Sequence, residues 1–196
     1  MARAACALAI AASLAGCGSS SSLPPPAGPA RSPALREAPA GRVTAVRAID
    51  VGMARSPRVE GGVARLDPRK RALVVGDHRA NAGVGPTQAV SDGHRLVYVV
   101  DAQGDALLLF RTQPRLELRR RVYLPGRPYA VAIDRRRHRL WVTLTASNRV
   151  AEVTANGRPR VLRTLPAVRQ PNAVAVDPRN GTVRVYGARP PTVQVL

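Results

Sequence analysis

A motif of about forty-two residues recurs along this chain. "PTQAVSDGHRLVYVVDAQGDALLLF" starts at Pro86, "PYAVAIDRRRHRLWVTLTASNRVAEV" at Pro128, and "PNAVAVDPRNGTVRVYGARPPTVQVL" at Pro171. Each copy reads Pro, a short apolar strand, an Asp, a tight turn, a β-branched strand, a second turn and a third strand. Asp92, Asp134 and Asp177 occupy one slot, and Asp50 falls in the same slot one period earlier. A fourth strand closes the middle copies, at 116–124 and 160–166. Short Val/Leu/Ile runs bounded by Gly, Pro, Asn and Asp indicate an all-β chain, and no window carries a sustained helical stripe.

Four strands per forty-odd residues is the period of a β-propeller blade. One twisted four-stranded sheet buries neither face, but a row of them leaning on one another around an axis buries both. The repeated Pro supplies a fixed φ and no donor, which suits the start of an innermost strand. The Asp carboxylate is placed to cap turn amides. The wording of the copies goes further. Trp141-Val142-Thr143-Leu144 followed by Ser147-Asn148-Arg149-Val150, and the opening Pro171-Asn172-Ala173-Val174-Ala175-Val176-Asp177, resemble YVTN- and NHL-type propeller repeats. The resemblance covers 86–196 well and 42–85 loosely.

The expected architecture is therefore an array of about 3.5–4 four-stranded blades over 42–196. The region 42–85 has the length of one blade, but "VGMARSPRVEGG" lacks a convincing second strand and "GGVARLDPRKRALVVGD" carries the strand–DPR–strand motif in another register. The last copy stops after three strands. Three readings stand: the strand at 42–50 latches onto the C-terminal blade, closing a small propeller with a short first blade; a partial propeller, an open fan of blades, needs a second copy or another chain at its exposed edges; or the gene product is cut short.

The N-terminus carries an address. Arg3 precedes an apolar run from Ala4 to Leu14, too short to span a bilayer as a mature helix. Leu14-Ala15-Gly16-Cys17 resembles a bacterial lipobox, which implies cleavage after residue 16, acylation of Cys17, and an extracytoplasmic protein anchored to the bacterial membrane. Residues 17–41, rich in Ser, Pro and Ala, read as a tether. With Cys6 in the signal and Cys17 acylated, no thiol is left for a disulfide, metal or nucleophile.

The formal charge is +19, almost all of it from Arg. Aromatics are 3% of residues, too few for base-stacking platforms, so sequence-specific nucleic-acid binding is not expected. The turns "DPRKRAL", "DGHRL", "DRRRHRL" and "DPRNGTV" are all read as joining a first strand to a second. Arg69, Lys70, Arg71, Arg95, Arg135, Arg136, Arg137, Arg139 and Arg179 would then share one rim. The rim is either a docking face for an acidic surface polymer or protein, or a set of solvated tips in an Arg-rich chain. The propeller resemblance implies a second class of function, since lactonase-like and sugar-handling propellers use an acidic or His cluster, often with a divalent metal, at the channel mouth. Asp77, His78 and Asn81 are the candidates for such a channel site. No metal-spaced set, P-loop or nucleophile motif appears, so no cofactor or metal is expected. The sequence favours a surface-anchored binding or scaffold module, with the hydrolase as the alternative.

Overall fold

The computed structural model describes residues 25–47 and 55–196. The signal-like segment, Cys17 and Asp50 lie outside them. The described residues form sixteen strands in four antiparallel four-stranded sheets. Sheet I holds β2 (Arg58–Val59), β3 (Gly62–Asp67), β4 (Ala72–Val75) and β5 (His78–Asn81). Sheet II holds β6 (Pro86–Ser91), β7 (Leu96–Asp101), β8 (Ala106–Arg111) and β9 (Glu117–Tyr123). Sheet III holds β10 (Pro128–Asp134), β11 (Arg139–Leu144), β12 (Arg149–Thr154) and β13 (Val161–Pro166). Sheet IV holds β14 (Pro171–Val176), β15 (Val183–Ala188), β16 (Pro191–Val195) and, as its outermost strand, β1 (Arg42–Ala45).

That last pairing is the latch expected from the sequence. β1 runs antiparallel to β16, with Arg42 opposite Val195 and Ala45 opposite Thr192. The first sheet is short, as expected, with only two residues of β2 in regular pairing. Backbone hydrogen bonds from Ala64 to Pro57 (2.9 Å) and from Leu66 to Arg55 (2.7 Å) extend its inner strand back to Arg55.

Alternation along each strand sends apolar residues to both faces, because each middle sheet is covered on both sides. Ala64, Leu66 and Leu73 of sheet I pack on Val97, Val99, Leu108 and Phe110 of sheet II. The opposite face of sheet II, with Tyr98, Val100, Leu107 and Leu109, packs on Leu140, Val142, Ala151 and Val153 of sheet III. Trp141 and Val150 of sheet III meet Val174, Val183 and Val185 of sheet IV. Four sheets thus share three cores, and among the described residues no core joins sheet IV to sheet I. The latch completes the last blade, but among the described residues it does not close the ring as the first reading expected, and the sheets form an open arc.

Each full copy starts with the same irregularity. The register shifts just after Pro86, Pro128 and Pro171, a bulge that bends the innermost strand at its entry.

Candidate functional site: the two ends of the blades

Strand order decides which turns can act together. In a four-stranded antiparallel sheet, the turns between strands one and two and between three and four leave the same end. The turn between two and three leaves the other end, with the connector to the next sheet. The first is called here the hairpin end and the second the connector end.

Asp92–Arg95, Asp134–His138 and Asp177–Thr182 join first to second strands and lie at the hairpin end. Their Asp residues cap turn amides: Asp92 Oδ1 accepts from His94 N at 2.8 Å, Asp134 Oδ1 from Arg137 N at 3.1 Å, and Asp177 Oδ1 from Arg179 N at 2.9 Å. Asp67 caps Lys70 N in the same way at 3.0 Å, but its turn joins β3 to β4, the second and third strands of sheet I. The counterpart of "DPRKRA" is therefore "DAQGDA" at 101–106, where Asp101 Oδ1 accepts from Gly104 N at 3.1 Å. Arg71 and Asp105 close the two turns with the same left-handed φ, 50° and 48°. These turns do not form the single rim expected from the sequence. Arg95, Arg135, Arg136, Arg137, Arg139 and Arg179 share the hairpin end, whereas Arg69, Lys70 and Arg71 stand at the connector end.

At the hairpin end, several arginines fasten neighbouring sheets. Arg95 Nε pairs with Glu60 Oε2 of sheet I at 3.0 Å. Arg135 Nε donates to Ser91 O of sheet II at 3.1 Å. Arg137 pairs with Asp134 Oδ2 at 2.9 Å and donates to Asn180 O of sheet IV at 2.8 Å. A Cβ at Gly181 would stand 2.3 Å from Arg137 Nη1, so glycine gives this guanidinium its room. Arg139 pairs with Glu152 Oε1 at 3.1 Å inside sheet III. Arg136 and Arg179 are exposed and make no ion pair among the described residues. Burial pushes the Asp134 carboxyl upward, but the hydrogen bond and charge of Arg137 outweigh it and hold it below the usual Asp range. Burial, with a smaller contribution from the Asp92 charge, raises the Tyr98 phenol, whose hydroxyl donates to Asn156 O at 3.2 Å.

The connector end is built differently. Asp101 is fully buried, and its Oδ1 also accepts from the amides of Val84 (3.0 Å) and Gly85 (2.8 Å). Asp105 accepts from Arg127 N at 2.8 Å. The Pro-rich stretch expected as a free tether lies across this end from at least Gly28 onward. Gly28 and Ala30 line a cleft of about 180 Å³ with Ala102, Gln103, Arg127 and Tyr129. Ser32 Oγ donates to Thr145 O at 2.7 Å, and Asn148 Nδ2 donates to Pro33 O at 3.0 Å. Glu37 pairs with Arg149 at 3.1 Å. Ala40 then enters the seam between sheets III and IV, donating to Pro166 O at 3.0 Å and accepting from Gln194 Nε2 at 2.7 Å. This strap leads directly into β1.

Polar residues on the inner strands are committed to their neighbours. Thr87 Oγ1 donates to Tyr129 O at 2.6 Å, Gln88 Oε1 accepts from Val131 N at 2.8 Å, and Ser91 Oγ donates to Arg58 O. Thr145 Oγ1 continues the series to Pro171 O at 2.8 Å. Sequence reasoning passed over these residues, although three polar side chains inside the fully buried run "PTQAVS" were their signal.

The expected channel site does not assemble. Asp77 lies in the turn before β5, the outermost strand of sheet I, and His78 is the first residue of that strand; both are exposed. Asn81 ends that strand, about 10 Å further on at the usual strand rise, and its Oδ1 accepts from Gly83 N at 2.8 Å. Among the described residues, no three His, Cys, Asp or Glu side chains gather as a metal site would require.

No family model matches the chain, and no curated protein matches it. Among solved structures, it is similar to a streptogramin B lyase, at 14% identity over 70% of this chain and 48% of that one, with a TM-score of 0.51. It is also similar to the Myceliophteria thermophila Cps50 (Swd1) β-propeller domain, at 12% identity over 68% of this chain and 43% of that one, again with a TM-score of 0.51. The chain spans about half the length of these structures. At such identity the likeness shows the β-propeller fold alone.

Proposed function

We propose that the protein is a lipid-anchored, extracytoplasmic binding module whose hairpin end docks an acidic surface polymer. The anchor rests on the lipobox-like Leu14-Ala15-Gly16-Cys17, and the blade wording on the YVTN- and NHL-like copies. The observation that carries the docking role is the set of cross-sheet bonds from Arg95, Arg135 and Arg137. They hold three arginine-bearing turns in fixed relation, with Arg136 and Arg179 exposed on two of them. A charged face ordered in advance loses little side-chain entropy on binding, which favours recognition over loose attraction. An acidic protein is the other partner this face would suit.

The lactonase-like alternative needs convergent acid–base groups at the channel mouth. The inner strands instead spend their polar groups on neighbouring backbone, and Asp77 and His78 sit at the periphery. The lyase among the similar structures supports that alternative through fold only.

The test uses protein that lacks residues 1–16 and carries Cys17→Ser, which retains every described element. Its affinity for long-chain polyphosphate is expected to fall about fivefold or more in R136S/R179S and much less in R69S/K70S, two variants that each remove two charges. Equal losses, or none, would reject the hairpin end as the docking face.

A further inference from the structure

We infer that the connector end is the membrane-facing surface of the domain, and that its cations contact anionic lipid headgroups. The strap carries the argument. It is bonded at Ser32, Pro33, Glu37 and Ala40, and its upstream part at Gly28 and Ala30 lies against the second–third turn of sheet II. Seven residues lie between Cys17 and Pro25, eight chain steps in all. At full extension they reach less than about 29 Å, so an acylated Cys17 keeps this end within one domain width of the bilayer. An unbonded tether would have let either end approach.

The charge pattern agrees. Arg31, Arg69, Lys70, Arg71, Arg127 and Arg189 are exposed at this end, and none makes an ion pair among the described residues. The carboxylates of this end are turned inward or already used. Asp101 is buried under backbone amides, Asp67 and Asp105 cap amides, and Glu37 holds Arg149. The hairpin end differs, since Glu60 and Asp134 there neutralise Arg95 and Arg137. Unneutralised cations close to an anchor are drawn to anionic lipid, an attraction that fades within a Debye length of the surface. A lipid surface is favoured over a soluble polymer because the strap brings this end, and no other, to the anchor.

The inference rests on the anchored reading, and its test is chosen to stand apart from it. Acylation is read from the mass of the native protein. Membrane contact is read on protein without residues 1–16 and with Cys17→Ser, which has no cysteine left, so single probes can be attached to K70C or R136C. With vesicles containing phosphatidylglycerol, a probe at 70 is expected to be quenched by spin-labelled lipid and a probe at 136 to be quenched little. R69S/K70S is expected to weaken vesicle binding about fivefold or more while R136S/R179S leaves it nearly unchanged, the reverse of the polyphosphate result. Equal quenching at the two positions, stronger quenching at 136, or equal binding to vesicles of phosphatidylcholine alone would overturn the inference. So would equal losses in the two variants.

Discussion

The smallest unit of this structure that ties chemistry to architecture is Asp134. It is almost fully buried, caps its own turn through Oδ1, and through Oδ2 fixes Arg137, which reaches Asn180 on the next sheet. Its carboxyl is held below the ordinary Asp range. A depressed folded-state value means that the ionised form contributes stability at neutral pH, and that this is lost as pH falls below about 4 and through the lowered value. Asp134→Asn keeps an acceptor for the turn but leaves Arg137 unpaired. It is expected to cost about 1–3 kcal/mol at pH 7 in denaturant titration. The gap between variant and native protein should close as the pH drops below the Asp range; a constant gap would mean that charge is not the operative term. Asn148 plays a comparable part at the other end, bonding Pro33 of the strap and accepting from Gln170 N at 2.9 Å while holding a left-handed φ of 53°.

Among the elements, β1 is the one on which sheet IV depends. Without it, β16 would present its whole outer edge, and the strap that leads into β1 would lose its hold in the seam at Ala40. Removal of residues 25–45 is therefore expected to lower the melting temperature by several degrees and to expose an edge prone to pairing, visible as aggregation on heating. The remaining outer strands carry their own protection, since β5, β9 and β13 set Arg79, Arg119, Arg120, Arg121 and Arg163 along the rims. How far these elements are legible in the sequence follows from their local chemistry. The copies from Pro86 onward are plain, because Pro, Asp and apolar alternation coincide in each. Sheet I is misread by one strand, because an Asp-led turn with a left-handed last residue serves both the first and the second hairpin; "DPRKRAL" looks like "DRRRHRL" but sits where "DAQGDAL" does. The missing cue is β2, whose "RSPRV" has too few apolar residues to announce a strand. The strap is invisible for a different reason. It is held largely by backbone groups of Pro33 and Ala40, which composition does not report.

At the scale of the molecule, three cores for four sheets among the described residues leave two terminal faces. On sheet IV the face turned away from sheet III carries Ala173, Ala175, Tyr186, Val193 and Val195, with Arg42 and Arg184 among them. On sheet I the corresponding face carries Val63 and Val74 with Arg58, Arg65 and Arg79. Both are partly apolar and both are cationic, so two copies meeting end to end bring like charges together. Sedimentation is expected to show a monomer at low ionic strength and a rising mass as salt screens the repulsion. Mass that falls with salt would mean that some other surface, held by opposite charges, joins the copies.

The pairing of the first strand with the last also sets an order on synthesis. Residues 42–45 leave the ribosome early and have no partner until Pro191–Val195 has followed, some three-quarters of the sequence later. Sheets I to III have all their strands before that moment, whereas the fourth must wait. Any interruption before Pro191–Val195 leaves Arg42–Ala45 without a partner strand, so the clasp doubles as a check that synthesis has passed the whole of sheet IV.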